Sequence, residues 1–95
     1  MRLSAIQRES ILQATHQNFG ASAKVWLFGS RADDTRRGGD VDLYVETEQI
    51  NTLLSKLRCK IAIEESLDLH VDLLVNDHAK SDPIYQIAKK EGLQL

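Results

Sequence analysis

Apolar residues recur along this chain in two rhythms, one short and one helical. Lys24 to Phe28, Val41 to Glu46 and Leu69 to Val75 are brief runs rich in β-branched and aromatic residues. Such runs predict three strands. Ile50, Leu53, Leu54, Leu57 and Ile61 instead recur at helical spacing, which predicts a helix with those residues as its buried face. Thr47 stands where that helix would be capped. Ser4 with Gln7 three residues on is a capping-box signal, and Gly20 is a terminator, so residues 5–18 predict an opening helix. Asp82-Pro83 supplies an N-cap followed by proline at the first helical position, and Gly92 closes that last helix after Lys89 and Lys90.

The order is helix, strand, turn, strand, helix, strand, helix. The polar interval Gly29 to Gly39 reads as a turn, with a short helix starting at Ser30. Strands one and two lie too close in sequence for a full crossover helix between them, which implies helices packed chiefly on one face. The expected fold class is α/β (α+β), a small mixed sheet with helices mainly on one face.

Composition narrows the picture. The 95 residues suit one domain spanning 1–95. An apolar share of 42% can cover such a sheet, and charges of both signs at 27% argue against disorder. A net charge of -2 excludes a general polyanion binder, so no direct nucleic-acid binding is expected. The lone Cys59 excludes an internal disulfide framework and, with no long apolar run, predicts a cytoplasmic protein without a membrane anchor.

The candidate chemistry lies in three aspartates. On the second strand, alternation puts Asp40, Asp42 and Tyr44 on one face and Val41, Leu43 and Val45 on the other. The apolar set is the natural core face. Asp40 and Asp42 then stand roughly 7 Å apart at Cβ, close enough to converge on one ion or straddle two. On the third strand His70, Asp72 and Leu74 share a face, and Asp72 completes a three-carboxylate cluster if the two strands are neighbours. Like charges at ~4 Å repel by about 4 kcal/mol at an effective dielectric of ~20, so such a cluster calls for a cation. Mg²⁺ accepts carboxylates and phosphate oxygens together. A lone Asp-x-Asp is more often an ordinary strand end. Here an apolar strand runs into Gly29-Ser30 shortly upstream, where glycine lets the backbone pass close to a phosphate and a helix start would favour an anion.

Phe28-Gly29-Ser30-Arg31 with Gly39-Asp40-Val41-Asp42-Leu43 resembles the signature of the nucleotidyltransferases with a polymerase-β-like palm. The small size resembles the minimal nucleotidyltransferases of bacteria and archaea, and the resemblance runs from Lys24 to Val75. It implies that Gly29 and Ser30 hold a triphosphate with Arg31 beside them. It also implies that Asp40, Asp42 and Asp72 are the catalytic metal ligands, with Asp72 activating an acceptor hydroxyl. Two Mg²⁺ ions and ATP as substrate follow from the same likeness. Members of this group commonly act as MNT-type antitoxins paired with a helical HEPN-class toxin, transferring AMP to a tyrosine of that toxin. Two departures stand out: Ala32-Asp33-Asp34 replaces a common Ala-Arg-Gly, and Gly39 replaces a common serine. The rival reading is a binding module that silences its partner by complex formation alone.

The remaining residues read more plainly. Arg31 suits a phosphate or a solvated turn equally, while Arg36 and Arg37 suit a polar turn. His70 reads as structural more readily than as an orienter of Asp72, and Tyr44 as a neighbour of the site. Trp26, Phe28 and Cys59 read as packing residues.

Overall fold

The computed structural model describes residues 3–28, 41–48, 53–78 and 81–95. The first helix, α1 (Ala5–Phe19), opens on the expected capping box. Ser4 Oγ accepts from the Gln7 N–H at 3.0 Å, and Gln7 Oε1 accepts from the Ser4 N–H at 2.9 Å. Gly20 ends the helix at φ 97°, a left-handed backbone that glycine adopts without a Cβ clash. Strand β1 (Lys24–Phe28) follows and pairs antiparallel with β2 (Val41–Glu46), setting Phe28 opposite Asp42.

A crossover through α2 (Leu53–Leu67) leads to β3 (Val71–Asn76), parallel to β2. The predicted third strand therefore begins two residues later and ends one residue later. Asp68, at φ 55°, makes the turn out of α2, a conformation aspartate tolerates better than most residues. The last helix, α3 (Pro83–Glu91), has Asp82 as its N-cap, accepting from the Ile84 N–H at 3.2 Å. Beyond Gly92 a two-residue strand, β4 (Leu93–Gln94), pairs antiparallel with β1, giving the sheet order β3-β2-β1-β4.

Alternation along the strands divides the interior in two. Val25, Leu27, Val41, Leu43, Val45, Val71, Leu73 and Val75 face α1 and α2, where Ile11, Phe19, Cys59 and Ile63 close over them. Trp26 and Tyr44 face the other way and pack with Tyr85 and Ala88 of α3. The ring centroids of Trp26 and Tyr44 lie 5.4 Å apart, and those of Tyr44 and Tyr85 5.6 Å apart. Two helices thus cover one face and a single helix covers the other. Each large side chain fully buried in this way contributes about 1.5–3 kcal/mol.

One expectation needs correction. The face of α2 that meets the core is Cys59, Ile63 and Leu67, while Leu53, Leu54, Leu57 and Ile61 are exposed. Both sets recur at helical spacing, and the positions of α1 and the sheet decide which turns inward. Thr47 is buried, and its hydroxyl donates to the Phe19 carbonyl at 3.1 Å, tying the end of β2 to the end of α1. Cys59 is fully buried, and desolvation pushes its thiol up to about 11, as befits a packing residue.

Candidate functional site

Parallel pairing sets Asp42 directly beside Asp72. Both belong to the alternation that carries Trp26 and Tyr44, so both carboxylates project from the α3 face. Neighbouring strands run about 4.8 Å apart, which brings the two side chains within reach of one cation. Asp42 is half-buried and Asp72 exposed. Phe28, opposite Asp42 on β1, completes the row.

Gly29, Ser30, Arg31, Arg36, Arg37 and Asp40 lie outside the described residues. The described chain enters that interval at Phe28 and leaves it at Val41, at the same end of the sheet as Asp42 and Asp72. Among the described residues no group of three metal-ligating side chains comes together. Asp42 and Asp72 alone make a pair of hard oxygen donors of the kind that suits Mg²⁺.

A second layer supports Asp72. His70 Nε2 lies 3.5 Å from Asp72 Oδ1, and its Nδ1 lies 3.1 Å from Glu64 Oε2. The same Glu64 oxygen accepts from Lys60 Nζ and from the Val71 N–H, each at 2.9 Å. The Lys60 bond, then the Val71 bond, hold the Glu64 carboxyl below its ordinary range. His70 therefore stands between two carboxylates and orients toward Asp72, a more engaged position than its sequence suggested. Nothing in the sequence marked Glu64, because it lies on a helix and reaches the strand only through the turn at Asp68.

Tyr44 shares the aspartate face but does not serve that end of the sheet. It is 1% exposed, its hydroxyl donates to Glu46 Oε2 at 2.8 Å, and it accepts from Asn76 Nδ2 at 3.1 Å. Burial, first of all, pushes its phenol up to about 12, so it stays neutral at physiological pH. Lys89 reaches Glu46 at 3.3 Å and sits 5.3 Å from the centre of the Trp26 ring.

Two grooves flank α3 among the described residues. One, about 550 Å³, is polar and lies at the Glu46 and Asn76 end of the strands, away from the aspartates. The other, about 480 Å³, is more apolar and includes Asp72 with Phe28, Leu57, Leu74 and Ile84. Asp72 lines the second groove, whereas Tyr44, Glu46, Asn76 and Lys89 of the first are bonded to one another.

The nucleotidyltransferase domain family matches residues 8–95. No curated protein is significantly similar in sequence. Among solved structures, a protein assigned as a minimal nucleotidyltransferase is 28% identical, with a TM-score of 0.73 over 94% of this chain and 89% of that one. A chain of a toxin–antitoxin complex with AMP-PNP is 23% identical, with a TM-score of 0.76 over 90% of this chain and 69% of that one. A chain of the complex between a tri-AMPylated Shewanella oneidensis HEPN toxin and its MNT antitoxin is 20% identical, with a TM-score of 0.72 over 93% and 67%. No helix among the described residues is long and apolar enough to cross a membrane.

Proposed function

As the chain belongs to the nucleotidyltransferase domain family, we propose that it transfers AMP from ATP to a hydroxyl of a partner protein. The observation that carries this reading is the register that sets Asp42 beside Asp72 at the end of the sheet where Phe28 ends. The acceptor oxygen attacks the α-phosphorus and forms a new P–O bond. The bond from that phosphorus to the α,β-bridging oxygen breaks, and pyrophosphate leaves with the electron pair. Asp72, exposed and adjacent, takes the hydroxyl proton. His70 and Glu64 hold Asp72 in place for this role. Asp40, Asp42 and Asp72 would hold Mg²⁺, which supplies Lewis-acid stabilisation of charge at the phosphates. Gly29, Ser30 and Arg31 would receive the triphosphate.

The described residues form no enclosed acceptor pocket beside Asp72, only an open groove. The acceptor is then brought by another protein. Solved relatives include chains from complexes of MNT antitoxins with HEPN toxins, one of them AMPylated. That supports a HEPN-type toxin as partner and an antitoxin role for this chain. The exposed stripe on α2 favours one second reading, a binder that silences its partner without chemistry.

Pyrophosphate release tests the choice. The chain with ATP, Mg²⁺ and the HEPN-type protein is expected to release pyrophosphate, and a chelator is expected to stop it. A stable, silenced complex that releases none would favour the binder.

A further inference from the structure

The outer edge of β3 is built to receive another strand. The carbonyls of His70 and Asn76 accept from the N–H groups of Val41 and Thr47, at 2.9 and 3.0 Å. In a parallel ladder this fixes the even-numbered residues of β3 as those bonded toward β2. Val71, Leu73 and Val75 therefore turn their backbone groups outward. Glu64 takes the Val71 N–H, the Tyr85 hydroxyl donates to the Val75 carbonyl at 3.3 Å, and no strand among the described residues pairs with β3 on that side. Exposed edges are usually blunted by lysine, proline or a bulge. This strand contains neither lysine nor proline, and its register with β2 is unbroken.

Apolar walls flank the edge. Leu53 and Leu57 of α2 stand on one side and Ile84 of α3 on the other, with Asp72 in the same groove. All three apolar residues are exposed. Lys56 and Lys60 line the α2 wall. Lys60 is paired with Glu64, whereas Lys56 has no ion-pair partner among the described residues.

We propose that this edge and groove take an extended, acidic-apolar segment of the partner protein, added to the sheet as a strand beside β3. The inference rests on the transferase reading above. Alternation in the added strand would send one set of side chains to the Leu57 wall and the other to the face of Asp72. The first set is apolar, with an acidic residue for Lys56. The second carries the acceptor hydroxyl. A strand satisfies the outward backbone groups of Leu73, which a helix laid in the groove would leave unbonded. Lys56, without an ion-pair partner among the described residues, favours an acidic residue on the incoming strand.

The test uses the full chain, ATP, Mg²⁺ and the HEPN-type protein as probe. Leu57→Glu and Lys56→Glu alter one exposed and one half-buried position and are expected to raise KM for the partner about tenfold, with kcat little changed. A photo-crosslinking residue at position 57 is expected to label a partner segment within a few residues of the modified hydroxyl. The same residue at Ile6, exposed on α1, should not. Wild-type KM in both variants overturns the assignment while leaving the transferase reading intact. So does a crosslink to a second copy of this chain, or to a partner surface remote from the modified residue. If the unaltered chain transfers nothing, both readings fall.

Discussion

Asp42→Asn is expected to lower AMP transfer about a thousandfold, equivalent to ~4 kcal/mol of transition-state stabilisation. Asparagine keeps the shape and much of the hydrogen-bonding capacity of the side chain but removes the charge that would hold a cation to the phosphates. The loss should fall on kcat, since charge develops on the phosphates as the leaving bond breaks. Stability should not suffer, because Asp42 lies beside Asp72 and the change removes one of two like charges. Thermal unfolding of the variant checks that point, and the rate of partner modification checks the chemistry. A variant that transfers at near the unaltered rate would remove Asp42 from the mechanism.

The second large effect concerns the closing of the sheet. Gly92 has φ -83°, so any residue could adopt its backbone; its constraint is space. A Cβ there would meet the carbonyl oxygens of Ala88 and Leu27, the latter at 2.9 Å, and both belong to backbone. Neither can swing aside as a flexible side chain would. Gly92→Ala is therefore expected to cost about 2–3 kcal/mol and to lower Tm by about 10–20 °C. Calorimetry on the variant measures this directly. An unchanged Tm would mean that α3 and β4 part at little cost. Because Leu95 N–H also donates to the Val25 carbonyl at 2.9 Å, loss of β4 would free the outer edge of β1 as well.

The sequence was most readable where local chemistry decides structure. Ser4 and Gln7, Asp82 and Pro83, and Gly20 and Gly92 mark helix ends because caps are made by neighbouring residues. Strands β1 and β2 match their predicted bounds because short runs of β-branched and aromatic residues favour a strand locally. The misreadings arose where distant parts of the chain decide. On α2, Leu53, Leu57 and Ile61 make as good a stripe as Cys59, Ile63 and Leu67, and contact with α1 and the sheet selects the second. The bond from the Thr47 hydroxyl to the Phe19 carbonyl, 28 residues away, is likewise invisible to local pattern. Leu93 and Gln94 carry no pattern, and they form a strand only because β1 offers an edge.

The site divides in the same way. Alternation foretold that Asp42 and Asp72 could share a face, and strand pairing supplied the neighbourhood that alternation cannot. Glu64 went unnoticed because its link to Asp72 passes through His70 and a turn. Tyr44 was expected beside the site, yet its hydroxyl is engaged by Glu46 and Asn76 at the far end of the strands. Gly29, Ser30, Arg31 and Asp40 rest on the sequence motif, as they fall outside the described residues.

On the proposed function this chain moves a nucleotide onto another protein. Intact-mass spectrometry of the HEPN-type partner, after incubation with the chain, ATP and Mg²⁺, reads that transfer. A partner heavier by one or more AMP groups is expected, with no such gain for Asp42→Asn. A partner of unchanged mass, bound and silenced by the unaltered chain, would contradict that function.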